Sequence, residues 1–255
     1  MGGGLSKAQK NRYGPDAVDR LRQLRKAAKS AGYDLKQTTQ ALHELSEDHS
    51  GIWDSQDNFM NGLIGFGHLQ MYRDAMGDTG TYNYPWRFIA DPGNYGSTSV
   101  SGAVKIDGLY VKSSTYIHEH THNMVANLIT KEMGFARNTP EFHAAWSDGV
   151  IEKSIQDNAL AAFKRWAIRS KHPDAAKIKT FDVKQAAQYS NMREYAWKQY
   201  AWAPTGTYLE VPTVASEMFY KHLNNSTKVS AAWTSLKSDS PYSYYVLQEL
   251  KKRIK

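Results

Sequence analysis

Between Pro15 and Ser30 the apolar residues Val18, Leu21, Leu24 and Ala28 recur at three or four positions, and Arg20, Arg22, Arg25, Lys26 and Lys29 fall outside that stripe. The spacing matches the 3.6-residue helical period and predicts a helix with a basic outer face. The helical pattern of the N-terminal third ends in HLQMYRDAMGDTGTYNYPWRFIADPGNYGSTS, where Gly, Pro, Asn and Asp break the period and predict long loops. Next comes SVSGAVKIDGLYVKSS, two short β-prone runs around Asp107-Gly108. That dipeptide favours a two-residue hairpin turn, so this is the best strand pair in the chain. From residue 115 onward the pattern is again helical, with helices expected near 115–133, 140–170, 182–200, 212–224 and 241–254, each bounded by Pro, Gly or Ser/Thr signals. No internal repeat, low-complexity tract or long polar linker divides the chain. The expected fold is therefore one α+β domain over residues 1–255, mainly helical, with a small antiparallel or mixed sheet next to the helix at 115–133. A basic helical region fills 1–36, and the functional core falls within 100–225.

The helix at 115–133 has support from several sides. Ile117, Thr121, Met124, Val125, Leu128 and Ile129 form an apolar stripe, Ser113, Ser114 and Thr115 offer N-cap oxygens, and Gly134 supplies a stop. Within it lies YIHEHTHNMV, whose three histidines alternate with other residues. At about 100° per residue, His118 and His122 lie about 40° apart on one face, while His120 points nearly the opposite way. Spacing by two would suit a strand, but the apolar positions follow the helical period, so His120 is expected beside the site or at the surface.

Composition narrows the chemistry. Hydrophobic residues make up 41% and charged residues 22% of 255 residues, ordinary usage for a folded chain with a sizeable core. With no cysteine, disulfides and thiolate ligands are excluded, and any metal must be held by His, Asp or Glu. The formal charge of +7 is concentrated toward the two ends and comes with no nucleic-acid motif, so no specific nucleic acid is expected. No apolar run reaches a membrane span and the N-terminus lacks the apolar core of a secretory signal. The expected location is the cytoplasm, or a destination reached by a non-classical route. MGGGLS fits Met-Gly-x-x-x-Ser, the pattern for myristoylation of Gly2. Together with the basic helix this would give a weak membrane anchor, although an unmodified glycine start and a solvated helix is the plainer reading.

Two imidazoles one helical turn apart can share one Zn2+, leaving Glu119 beside the open metal position to take a proton from the bound water and deliver it to the leaving amine. GLYVKSSTYIHEHTHN resembles the edge strand and His-Glu-x-x-His helix of the zincin metallopeptidases. The resemblance implies His118 and His122 as zinc ligands, Glu119 as general base and then acid, and a peptide or protein as substrate. For the third ligand it offers three registers. YLEVPTVASEMFYKHL is similar to the Glu-aromatic helix of lethal-factor-like proteases, which implies Glu217 as ligand with Tyr208 upstream as an oxyanion donor. Glu-x-Pro-Thr-x-x-x-Glu at 210–217 is similar to an element of thimet-type oligopeptidases, which implies Glu210. AWSDGVIEKSI looks like the Asn-Glu-Gly segment of aminopeptidase-type gluzincins, with Asp148 in place of Glu. Glu217 is preferred over Glu210 and Asp148, and His143 or His222 would be next. The expected function is that of a gluzincin-type zinc endopeptidase. Its competitors are a noncatalytic basic protein that binds a membrane surface or nucleic acid through a structural helix, and a metal-dependent hydrolase of a non-peptide bond.

Overall fold

The computed structural model describes residues 17–33, 56–82, 86–89, 96–107 and 112–255. Gly2 and its acylation pattern lie outside them. In chain order the elements are helices α1 (Ala17–Ser30) and α2 (Gln56–Met76), strands β1 (Trp86–Ile89), β2 (Gly96–Thr98) and β3 (Val104–Asp107), and helices α3 (Ser113–Met133), α4 (Pro140–Ser147), α5 (Val150–Arg169), α6 (Ala175–Ile178) and α7 (Val183–Tyr189). A 3-10 helix (Glu194–Trp197) follows, then α8 (Val211–Asn224), α9 (Val229–Asp239) and α10 (Pro241–Ile254). The fold is α+β and mainly helical. Among the described residues no helix is long and apolar enough to cross a membrane.

The described residues divide into two compact units, one within Met1–Asp74 and Thr79–Tyr116, the other within Ala75–Asp78 and Ile117–Lys255. The first holds a mixed three-stranded sheet in the order β1-β3-β2, with β1 parallel and β2 antiparallel to β3. β2 and β3 pair through Gly96 with Ile106 and Thr98 with Val104. The turn between them runs through Gly102 at φ 89°, a left-handed conformation that glycine adopts without a Cβ penalty. The β2–β3 hairpin therefore turns before Val104, and the turn expected at Asp107-Gly108, with its second arm at 108–111, lies outside the described residues. Phe66, Leu69 and Tyr72 on α2, together with Tyr116, are fully buried. The ring of Tyr116 meets Phe66 edge-on at 5.2 Å.

The second unit is helical. α10 packs along α5 and α8 through the buried side chains of Phe163, Phe219, Tyr242, Val246, Leu247 and Leu250. Each large apolar side chain removed from water in this way contributes about 1.5–3 kcal/mol. α3 enters this unit at Ile117. Its stripe of Ile117, Met124, Val125, Leu128 and Ile129 is buried, and Thr121 donates its hydroxyl to the Ile117 carbonyl. Gly134, at φ 74°, ends the helix.

Two expected helices are broken. The stretch 140–170 divides at Gly149, which is left-handed at φ 59°, and a Cβ there would stand 2.4 Å from Leu209 Cδ2 and 2.6 Å from Thr207 Cγ2. The stretch 182–200 ends as a helix at Tyr189, and Asn191 takes φ 53° before the 3-10 turn. α9 was not among the expected helices.

Candidate metal centre

α3 delivers the two histidines on one face, with ring centroids 5.0 Å apart and the planes inclined at 73°. Opposite them stands Glu210, the N-cap residue of α8. Its Oε2 lies 3.2 Å from Nε2 of His118 and 3.4 Å from Nε2 of His122. The three residues form a group, with ligand atoms all within 4.8 Å of one another, that can hold a metal ion. The spacing is suitable for one. Ligand bonds of about 2.0–2.1 Å at tetrahedral angles place neighbouring ligand atoms about 3.3–3.4 Å apart.

The sequence around Glu210 fixes its carboxylate. Pro212, in the first turn of α8, commits the chain to a helix just after Glu210. The Thr213 hydroxyl donates to the Glu210 carbonyl at 2.8 Å and lies 3.1 Å from Oε2. Oε1 accepts from the Tyr200 hydroxyl at 2.7 Å and from the Tyr195 hydroxyl at 3.3 Å. Gly149 admits the 207–209 segment that leads into Glu210, and Gln156 of α5 donates its amide to the Tyr208 carbonyl at 2.5 Å.

The structure puts Glu210, and not Glu217, opposite the two histidines. Glu217 lies two turns further along α8, and its Oε1 is 2.6 Å from Nδ1 of His118, the nitrogen on the far side of that ring. The same oxygen accepts from Arg193 at 2.6 Å. Through this contact Glu217 holds the His118 ring from the side opposite Glu210. Asp148 is exposed at the end of α4 and outside the group. His143 is exposed, and His222 faces Asp239 at 3.8 Å. Burial, and after it the charge of Asp182, pushes the Tyr208 hydroxyl's pKa up, while the Tyr208 carbonyl accepts from Gln156. His120 is fully buried and paired with Asp78 at 2.9 Å. Glu119 is 3% exposed on the turn between the two histidines.

Hydrogen-bond and ion-pair contacts between imidazole and carboxylate link the group. Burial disfavours the His118 imidazolium, but hydrogen bonds to Glu210 and Glu217 outweigh it and push its pKa up to about 10. His122 is raised as well, with burial opposing and the Glu210 charge prevailing. Burial opposes ionisation of Glu210 too, yet His122 and His118 hold its carboxyl well below the usual carboxylate range. Exchange of those imidazolium protons for a cation is the expected chemistry of such a cluster.

Sequence reasoning missed Tyr195, Tyr200, Thr213 and Glu152. The two tyrosines sit in a stretch expected to be helical, where five-residue spacing would turn them apart. Thr213 was within view, as the fourth residue of the Glu-x-Pro-Thr element. Glu152, buried on α5, is pushed by burial up to about 7. No family model matches the chain, and no characterised protein or solved structure matches it.

Proposed function

We propose that the protein is a zinc-dependent peptidase of gluzincin type, with His118, His122 and Glu210 as ligands and Glu119 as the proton-transferring base. The observation that carries this reading is the convergence of both Nε2 atoms on Oε2 of Glu210, at 3.2 and 3.4 Å, on a helix that also bears a buried Glu119. Among the sequence resemblances, the oligopeptidase-like register of Glu-x-Pro-Thr agrees best with this arrangement. Zinc, when bound, supplies Lewis acidity that acidifies a water and polarises a carbonyl. The remaining work belongs to side chains. His118 and His122 bind as neutral imidazoles, with His118 aimed by Glu217. Glu119 accepts the proton of the attacking water and passes it to the leaving amine. Tyr195, 37% exposed and with its ring 6.0 Å from that of His118, takes the oxyanion-donor role that the sequence had suggested for Tyr208. The substrate is an extended peptide or an unfolded protein segment.

The test is cleavage of an unstructured protein such as casein by the wild type and by Glu119→Gln, with metal content measured on both. The wild type should cleave, and Glu119→Gln should keep its metal while losing at least ~10²-fold in rate, the lower end for a positioned general base. Undiminished cleavage by Glu119→Gln would overturn the assigned mechanism. A metal-loaded wild type that cleaves no peptide would place the protein among hydrolases of another bond or among noncatalytic binders.

A further inference from the structure

A buried carboxyl oxygen without a hydrogen-bond partner is costly, so such a group asks for something in the working state that compensates it. Glu152 is such a group. It stands in the first turn of α5 at 2% exposure, and its Oε2 has no partner. The ionisable groups it feels are His122 and Glu210, two of the three residues of the metal group. Its backbone is anchored on either side. Gly149 packs against Thr207 and Leu209, and Gln156, one turn on, holds the Tyr208 carbonyl.

The two histidines also differ in a way that matters here. Each points Nε2 at Glu210, which leaves Nδ1 as the nitrogen to be held from behind. At His118 that position is taken by Glu217, at 2.6 Å. Among the described residues no corresponding carboxylate is in hydrogen-bond contact with His122 Nδ1, and Glu152, between Gly149 and Gln156 on the α5 face that meets the 207–209 segment before Glu210, is a buried acid beside the group.

We propose that Glu152 is a positioning residue of the metal group, the carboxylate that holds Nδ1–H of His122 once a divalent cation is bound. This rests on the reading of His118, His122 and Glu210 as metal ligands. It makes the site symmetric, with each imidazole held between the ion and an outer carboxylate, Glu217 behind His118 and Glu152 behind His122.

The experiment is a competition titration of Zn2+ against a chromogenic chelator for the full chain, for Glu152→Gln and for Glu152→Asp, with thermal unfolding of each metal-free form. Loss of a carboxylate behind a ligand histidine typically lowers affinity about 10–100-fold. Glu152→Gln should fall in that range while its metal-free form unfolds no earlier than the wild type, because the amide keeps the shape and removes a buried acid. Glu152→Asp keeps the charge but withdraws it by one methylene, so its affinity should also fall. It serves as the test if the glutamine variant fails to fold. With Co2+ in place of Zn2+, the visible absorption of Glu152→Gln should shift from that of the wild type, a signature that a merely structural residue would not move. Wild-type zinc affinity in both variants would overturn the proposal and leave the three-ligand site standing. A wild type that takes up no Zn2+ would remove the site itself, and Glu152's role with it.

Discussion

His118 has its two ring nitrogens on two different carboxylates, Nε2 3.2 Å from Glu210 and Nδ1 2.6 Å from Glu217. The two acids therefore differ in what their removal should do. On the proposed ligand set, Glu210→Ala should abolish stoichiometric zinc retention under a chelator series. Glu217→Ala removes an orienting partner and should weaken zinc about 10–100-fold. Asp148→Ala should leave it unchanged. Zinc dissociation measured on the three variants checks the order, and earlier release from Glu217→Ala than from Glu210→Ala would reverse the assignment. The histidine pair and Glu119 were legible because their relation is local, three residues on one turn of helix. The choice between Glu210 and Glu217 was not. They stand seven residues apart on nearly the same side of α8, and which of them faces the Nε2 atoms of both histidines depends on how far along its axis that helix is set, a long-range matter that no spacing encodes. Tyr195 and Tyr200 were hidden for a related reason, since their convergence on Glu210 exists only because the helix stops at Tyr189.

The corner between α4 and α5 shows how an element boundary reaches the site. Gly149 is left-handed, and its missing Cβ is the space that Leu209 and Thr207 occupy immediately before Glu210. Gly149→Ala would strain the backbone and push that segment, costing about 1–3 kcal/mol. It should lower the unfolding temperature and also reduce zinc affinity, although residue 149 touches no ligand. Differential scanning calorimetry beside a zinc titration reads both effects, and a variant with unchanged stability and affinity would contradict this account of how Glu210 is placed. The start of α8 was readable from Pro212, and the buried stripe of α3 from its period. The divisions at Gly149 and Asn191 were less so. A lone glycine or asparagine in a helical pattern is tolerated as often as it terminates, and here tertiary packing of the 207–209 segment makes Gly149 a stop.

For the whole molecule the carboxylate and imidazole groups couple folding to pH and to metal. The His118 pKa of the metal-free fold, about 10, lies above its ordinary value, so its pairing stabilises fully below about pH 6.5 and the benefit is lost as pH rises toward 10. Glu210 is held low, so its contribution is present above the ordinary carboxylate range and lost as pH falls through acid. Metal-free protein should therefore be most stable near about pH 5–6.5 and unfold at lower temperature on either side, and zinc affinity should rise with pH as fewer protons compete. Thermal unfolding in chelator across pH checks the first statement, and a metal-free chain that gains stability steadily from pH 6.5 to 9 would contradict it. The mainly helical α+β class was legible from periodicity, whereas the division into two units was not, since no linker or change in composition marks it. All three metal-group residues fall in the second unit, 88 positions of chain separating His122 from Glu210. The central claim is that this unit closes His118, His122 and Glu210 around one ion. The measurement that tests it most directly is elemental analysis of chain purified without chelator, beside His118→Ala and Glu210→Ala prepared in the same way. About one zinc per wild-type chain and none in either variant is the predicted result. A wild type that carries no metal and takes none up when Zn2+ is supplied would contradict it.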